Sequence, residues 1–527
     1  MATQNAGALL DAVLTSTGAK LSRLFHEVLE VRLQSAIDVG ITSNLALAAV
    51  LGANVQIAET LVGAANPLFR LMDIVDQAKT TAWIDDNTDD LLVSALNASV
   101  VISGIDSDSL LPLYSPTVSA LYDGDSWLNF QNSTDSITYS FNETLPSEYS
   151  WSDTRDWQTV GTHARNVIDE IMSLVDGVIL PDIERVFGNG QIRFNMVETA
   201  QDVAAYAYYP GSGVGGDVFL GHDIGTNTDS GNIEPFGEGR SSIVHEIGHA
   251  LGLTHPFEGV SVLPASADHS ANTVMSYTDY RPYISLFTGA KTGSGGSQVE
   301  LDYASVAPDR FMLYDIAALQ AVYCPDPDYR VGDDTYVFGD VPFYTTIWDA
   351  GGHDVLNFSD TSSYNIIDLT PGSHSHINYR DIDIQIADQQ EVYRQQLNTS
   401  HWDDWVAETL SSISSDLYTG ENALGIAWGT IIEEVIGGPA GNWIIDNAVD
   451  NYLTGGVGDD HFYLGAGGFD RVIGGGGYDL VVLDQYARHQ VELGAYEDSM
   501  LLVGDEFAVQ MIGIAGIKFM DQMYIIA

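Results

Sequence analysis

The run Ser242-Ile243-Val244-His245-Glu246-Ile247-Gly248-His249-Ala250-Leu251-Gly252-Leu253-Thr254-His255-Pro256 constrains the fold more than any other stretch of the chain. His245 and His249 are four residues apart, so a helix sets their imidazoles one above the other on a single face. Gly252 follows where a helix end needs a residue that tolerates positive φ. The chain can then turn and bring His255 back to the same point. Three neutral imidazoles suit Zn²⁺, which takes His nitrogens at about 2.0–2.1 Å, and three protein ligands leave one position open for water. Glu246 then has no place among the ligands. Its carboxylate fits the general base that the His-Glu-x-x-His spacing implies, taking a proton as hydroxide attacks a carbonyl. A surface helix with scattered polar residues would explain the two histidines alone, but not Gly252 and His255 at their fixed offsets.

The stretch from His245 to His255 matches the extended motif of the metzincin metalloproteases in full, and the chain resembles that family. Thr273-Val274-Met275-Ser276-Tyr277 is its candidate Met-turn. Pro256, Tyr277 and the segment Ala205-Tyr206-Ala207-Tyr208-Tyr209-Pro210-Gly211 resemble the serralysin branch in particular. The resemblance implies that Met275 supports the site from beneath. It also implies that Tyr277 is a further zinc ligand that swings away to help stabilise the tetrahedral intermediate. Met275 follows His255 by 20 positions (275 − 255), a shorter loop than serralysins have, and that loop builds the pocket wall.

Lys plus Arg number 19 against 73 Asp plus Glu, a formal charge of −54. Phosphate binding needs cationic side chains, so nucleic acid and anionic membrane surfaces are excluded as partners. Solubility in a salty medium and oxygen ligands for hard cations account for the acidity. Hydrophobic residues make up 45 %, which argues for globular domains rather than a disordered acidic chain. The one cysteine, Cys324, permits no intramolecular disulfide and lies after the histidine motif, so no upstream thiol can hold the zinc latent. Metal ions are then the natural staple. Met1 to Lys20 shows no basic-then-apolar signal peptide, and no apolar run reaches the roughly 18 residues of a membrane span.

The expected architecture is multidomain: a helical N-terminal extension over residues 1–110, an α/β metzincin protease domain over 115–325, and an all-β parallel β-roll with a C-terminal secretion region over 326–527. In the extension, Leu10, Val13, Leu14, Leu21, Leu24, Phe25, Val28 and Val31 recur at steps of three and four. No chemistry is legible there. Ser136 to Phe141 alternates like a strand, Gln158 to Val178 reads as an amphipathic helix, and Gln191–Val197 and Asp217–Leu220 read as further strands. Asp309 to Tyr323 reads as a closing helix. In the resembled fold one of these strands is an edge against which a peptide adds, which would make the substrates proteins or peptides.

After Pro325 the composition turns to Gly, Asp and β-branched residues. Gly455–Tyr463, Gly465–Ile473 and Gly474–Val482 fit a nine-residue calcium-binding repeat of the RTX type, with weaker copies from Asp446 and Gly437. Glycines (Gly456, Gly458, Gly467, Gly475, Gly477) make tight turns and expose carbonyls. The sixth-position acids Asp460, Asp470 and Asp479 supply anionic oxygens, and the eighth-position side chain fills the core. Resemblance to serralysins implies two more calcium sites, one from Arg330, Gly332, Asp334, Asp349 and Gly351, the other from Gly352, Asp354 and Glu433. Repeats of this class are associated with type I secretion, which implies an extracellular protein exported without a cleavable N-terminal signal. Low calcium inside leaves the roll unfolded and external calcium folds it. The expected protein is therefore a monomeric secreted zinc endopeptidase stabilised by calcium. The alternative is a non-catalytic, calcium-dependent surface or adhesion protein with a protease-like domain. A β-roll lipase lacks its Gly-x-Ser-x-Gly elbow.

Overall fold

The computed structural model describes residues 116–526 apart from short interior stretches, of which 130–135, 227–231 and 293–298 are the longest. The helical extension expected over residues 1–110 lies outside the described residues. The rest divides into two compact units. The first runs to Thr278 and is rejoined by Arg310–Tyr329; the second comprises Asp279–Asp309 and Arg330–Ala527. Residues 279–309, which the sequence boundaries put with the protease domain, group with the second unit.

Alternating apolar residues make the strands of the first unit. Its sheet has the order β2-β1-β3-β5-β4, with β1 Ser136–Phe141, β2 Asp182–Arg185, β3 Ile192–Val197, β4 Ala205–Ala207 and β5 Val218–Gly221. All pairings are parallel except β4 with β5. Helix α1 (Thr162–Val178) buries Ala164, Val167, Ile168, Ile171 and Val175, the face its periodicity marks out. Helix α2 (Glu238–Leu251) carries the histidine motif, and α3 (Leu313–Tyr323) buries almost every side chain.

Strand β4 is the sheet's edge, and its hydrogen bonds show which groups stay open. Ala204 O accepts from Gly221 N at 2.9 Å and Tyr208 N donates to Asp217 O at 3.0 Å, so residues 204, 206 and 208 face β5. The peptide groups of Ala205 and Ala207 point the other way, towards the open side, by the alternation of an antiparallel ladder.

In the second unit successive strands from Glu434 to Leu483 alternate between two sheets. Leu356, Val435, Leu453, Val472 and Met511 stand in register across one sheet. Ile367, Ile444, Phe462, Val481 and Ile517 do so across the other. Every one of these ten is buried. The eighth repeat positions Ile444, Leu453, Phe462, Val472 and Val481 are thus the core.

This unit is not all-β. Helices α4 (Ile382–Leu397) and α5 (Asp403–Ser412) interrupt the sheets, with Asp381 capping α4 by accepting from Ile384 N. Tyr393, Val406 and Leu410 pack with Val299 and Leu417 into a satellite core, flanked by Ile284 and Leu286. The physical reason is local composition: residues 382–412 contain neither Gly nor Pro, unlike the repeats around them. The unit also ends in antiparallel strands, Glu492–Tyr496 with Ser499–Val503 and Gly516–Phe519 with Met523–Ile525.

Phe462→Ala should therefore cost about 3–5 kcal/mol, whereas Val457→Ala on the exposed turn of the same repeat should stay within about 0.5 kcal/mol. Urea denaturation at fixed calcium concentration, followed by circular dichroism, measures both.

Candidate metal centre and active site

Helix α2 ends as its sequence dictates. Gly252 adopts φ +104°, its N–H donates to His249 O at 2.9 Å, and Leu253 N donates to Gly248 O at 2.9 Å. A Cβ at Gly252 would collide with the carbonyl of Asp125. This sharp stop swings His255 back towards the helix.

The three imidazoles converge. His249 Nε2 and His255 Nε2 lie 3.0 Å apart, and His255 Nε2 and His245 Nε2 lie 3.3 Å apart. His245 Nδ1 is 2.7 Å from Val274 O and His249 Nδ1 is 2.8 Å from Leu253 O. A carbonyl accepts only, so each Nδ1 is the protonated nitrogen and each Nε2 presents a lone pair to the centre. Burial pushes the two imidazoles down, His245 to about 4 and His249 to about 3, so protons do not relieve the crowding. A tetrahedral ion with bonds of about 2.0–2.1 Å sets its ligand atoms about 3.3 Å apart, so the donor set fits zinc.

Glu246 is 7 % exposed and its Oε2 has no hydrogen-bond partner. Burial pushes its carboxyl up to about 8. The Glu258 carboxylate lies 3.3 Å from His255 Nδ1, close enough for attraction but out of line for a hydrogen bond.

The site has a floor. Met275 is fully buried beneath α2, and a Cβ at Gly248 would come within 2.5 Å of its sulfur. Asp315 on α3 accepts from Thr273 Oγ1 at 2.5 Å, from Val274 N at 2.8 Å and from Met312 N at 2.9 Å. Val274 is therefore held at its amide by Asp315 and holds His245 by its carbonyl. Burial raises the Asp315 carboxyl to about 7 against these three donors. Sequence reasoning missed Asp315; its signal was one acid in the otherwise apolar run Leu313–Tyr323.

Tyr277 stands at the opening, 71 % exposed, stacked over His245 at 5.6 Å and 4.5 Å from His255. Two further rings escaped the sequence reading. Tyr209 meets His249 edge-on at 5.4 Å, and Phe257 lies parallel to His255 at 5.1 Å. Asp153 was missed as well: buried, it accepts from Tyr206 Oη at 3.0 Å and Tyr208 Oη at 3.1 Å, tying down β4.

In the second unit, carboxylate oxygens of Asp334, Asp349 and Asp354 all come within 4.8 Å of one another. The structure thus brings Asp354 to the residues grouped with Asp334, and Glu433 lies beside it, its Oε2 accepting from Asp354 N at 2.8 Å. Arg330 Nη1 is 3.8 Å from Asp334, while Gly351 and Gly352 hold φ near +145° in the adjoining turn. Among the repeats, Asp470 Oδ1 accepts from Asn451 N and Asp479 Oδ1 from Asp460 N, each at 3.0 Å. Asp460 Oδ2 accepts from Gly456 N at 2.7 Å. Gly467, Gly475 and Gly477 take positive φ, whereas Gly456 and Gly458 do not. Oδ2 atoms of Asp354, Asp470 and Asp479 are buried without a hydrogen-bond partner. Buried carboxylate oxygens in that state suit a hard cation.

Comparison with known proteins agrees with the geometry. Residues 133–288 match the matrixin (Peptidase_M10) family model. Serralysin C of Dickeya chrysanthemi is 32 % identical over 198 residues, covering 35 % of this chain and 39 % of that protein. Serralysin of Proteus mirabilis is 29 % identical over 277 residues, 47 % of this chain and 51 % of that protein. Metallopeptidase AprA of Pseudomonas marginalis is 30 % identical over 212 residues, 36 % and 42 % respectively. The chain thus spans about two fifths to one half of the length of these relatives.

Asp315→Ala should lower the stability of the first unit by about 3 kcal/mol, because three buried donors lose their acceptor at a cost of about 1–3 kcal/mol each, offset by partial relaxation. Asp315→Asn, which keeps one acceptor oxygen, should lose less. Denaturant titration of the two variants checks the order.

Proposed function

We propose that this chain, which carries a metallopeptidase domain of the serralysin-type metzincins, is a secreted zinc-dependent endopeptidase stabilised by calcium. One observation carries the reading: the Nε2 atoms of His245, His249 and His255 converge on a common point, those of His245 and His249 as lone pairs, beside the buried Glu246 carboxylate, whose Oε2 has no hydrogen-bond partner. In this reading His245, His249 and His255 hold zinc. When bound, zinc supplies a Lewis acid that polarises a carbonyl and acidifies a water.

The chain's own residues do the rest. Glu246 takes a proton from the attacking water and can return it to the leaving amine. Its raised affinity for a proton in a dry pocket suits that exchange. Tyr277, poised over His245 and His255, donates its hydroxyl to the developing oxyanion. Met275, Val274 and Asp315 fix the ring of His245 from below. The open peptide groups of Ala205 and Ala207 pair with a substrate strand, so the substrate is a polypeptide in extended form.

Calcium in this reading is held in the second unit by Asp334, Asp349, Asp354 and Glu433, with Arg330, Gly332, Gly351 and Gly352 shaping the turns. The repeats add Asp460, Asp470 and Asp479 with carbonyls of Gly456, Gly458, Gly467, Gly475 and Gly477, so the unit is an RTX β-roll. Calcium-dependent folding would keep it unfolded for a type I secretion apparatus and fold it outside the cell. No helix among the described residues is long and apolar enough to cross a membrane. The acidity of the chain excludes nucleic acid, and a monomer is expected.

Glu246→Ala should lower kcat/KM on casein-derived peptides by about 10²–10⁴-fold, with zinc near one per chain by elemental analysis. Retained activity would refute the mechanism, and an inactive wild type with both metals bound would favour the surface-protein alternative. Removing calcium with a calcium-selective chelator should lower the melting temperature of the second unit, and restoring calcium should recover it. Differential scanning calorimetry reads that shift.

A further inference from the structure

The turn around Met275 carries the same joint twice. At its start Thr273 Oγ1 donates to Asp315 Oδ1 at 2.5 Å and accepts from Met275 N, two residues on, at 3.0 Å. At its end Ser276 Oγ donates to Asp268 Oδ1 at 2.6 Å and accepts from Thr278 N, again two residues on, at 3.0 Å. A hydroxyl has one proton and two lone pairs, so the carboxylate that takes the proton also turns a lone pair towards the amide. A hydrogen bond to a carboxylate is about twice as strong as one between neutral groups, so the acid decides which way each hydroxyl points. The first joint leads through Val274 O to His245.

The second joint encloses Tyr277. Its neighbours on both sides are fixed: Ser276 by Asp268, and Thr278 by Ser276 Oγ at its amide and by Ser270 N, which donates to Thr278 O at 2.9 Å. Ser276 is buried, whereas Tyr277 is 71 % exposed and meets the site through ring contacts, its centroid 4.5 Å from that of His255 and 5.6 Å from that of His245. Where the phenol stands over the histidines thus follows from where its backbone is pinned. Asp268 is itself held. Its N–H and that of Ala267 donate to Pro264 O at 3.0 and 2.8 Å, and Asn272 Nδ2 donates to Ala267 O at 3.0 Å. The loop after Pro256 thereby brings a carboxylate to the far end of the turn, eight positions before the serine it holds.

We propose that Asp268 is a positioning residue for catalysis: through the Ser276 hydroxyl it sets the pivot from which the Tyr277 phenol reaches the developing oxyanion. The proposal rests on the endopeptidase reading above. Asp268 acts by geometry alone, through a side chain that holds the backbone on either side of the tyrosine. A donor to an oxyanion works over a narrow range of about 2.7–3.1 Å, and a misplacement of about 1 Å forfeits most of its effect. Without the carboxylate the Ser276 hydroxyl is free to rotate, Thr278 N loses a fixed acceptor, and Tyr277 samples positions off the site. Asparagine at position 268 keeps an oxygen that accepts from Ser276, so it should preserve the pivot.

A double-mutant cycle on the full chain with zinc and calcium tests it, with one peptide substrate and one phosphinic peptide, whose tetrahedral phosphorus and anionic oxygen resemble the addition intermediate. Tyr277→Phe should lower kcat by about 10²-fold with KM within about twofold, the loss of a donor used only in the transition state. Asp268→Ala should lower kcat about tenfold with KM equally unmoved, and Asp268→Asn should recover most of that loss. Ser276→Ala, which removes the joint from its other side, should match Asp268→Ala. In the Tyr277→Phe background Asp268→Ala should cost less than about twofold more, because its effect runs through a hydroxyl already gone. Calorimetric affinity for the phosphinic peptide should follow the same pattern, reading the pivot without turnover. Full additivity of the two substitutions would overturn the proposal, as would a loss that Asp268→Asn does not relieve or one accompanied by loss of zinc. Asp268 would then support the loop and nothing more. If zinc-loaded wild type neither cleaves the peptide nor binds the phosphinic one, the endopeptidase reading fails and the proposal falls with it. Additive losses in an active wild type sink the proposal alone.

Discussion

Three lone pairs pointed at one spot repel each other, and the first unit is built to hold them there. The imidazoles of His245 and His249 cannot turn away, because the carbonyls of Val274 and Leu253 pin the opposite nitrogens. His245 and His249 do not escape by protonation either, since burial disfavours their imidazolium form. A cation at the focus would meet all three nitrogens at once, and the restraints on His245 and His249 keep that point preformed. What surrounds the triad serves that restraint: the glycine stop that returns His255, the methionine floor, and the carboxylate of Asp315 that fixes Val274 from a different helix.

The second unit solves a related problem with different chemistry. Its core is two ladders of apolar side chains, each set by the eighth position of a nine-residue half-turn. Turns between them are too tight for side chains: a Cβ at Gly456 or Gly475 would collide with the carbonyl of the turn below. Stacking such turns brings carboxylates inside, where one oxygen takes an amide proton and the other has no donor. Buried anions of that kind raise the free energy of the fold unless a cation or a proton meets them. The donor sets of the two units differ in kind, imidazole nitrogens in the first and carboxylate oxygens in the second.

The edge strand offers peptide groups from Ala205 and Ala207, small residues alternating with two tyrosines, Tyr206 and Tyr208, whose hydroxyls both bond to Asp153. Stacking of Tyr206 flat on Phe219 at 4.8 Å fixes the strand further. Backbone pairing alone accepts any sequence, so discrimination has to come from side-chain surfaces nearby.

The amino-acid sequence by itself determined the periodic parts. Steps of four residues and a glycine placed His245, His249 and His255; alternation placed β1 and β3; and a period of nine placed the ladder positions Ile444, Leu453, Phe462, Val472 and Val481. These follow from local geometry, which a chain carries in its spacing. Asp153 and Asp315 were decided by tertiary structure, because each acts on residues brought close only by folding: Asp315 reaches Val274 across 41 positions, Asp153 reaches Tyr206 across 53. The helices α4 and α5 were hidden for a related reason. Their polar surfaces and few buried side chains make sense only against Val299 and Leu417, which the fold supplies from elsewhere in the chain. Spacing encodes what neighbours along the chain can do together, and contact between distant segments is the part that only packing can choose.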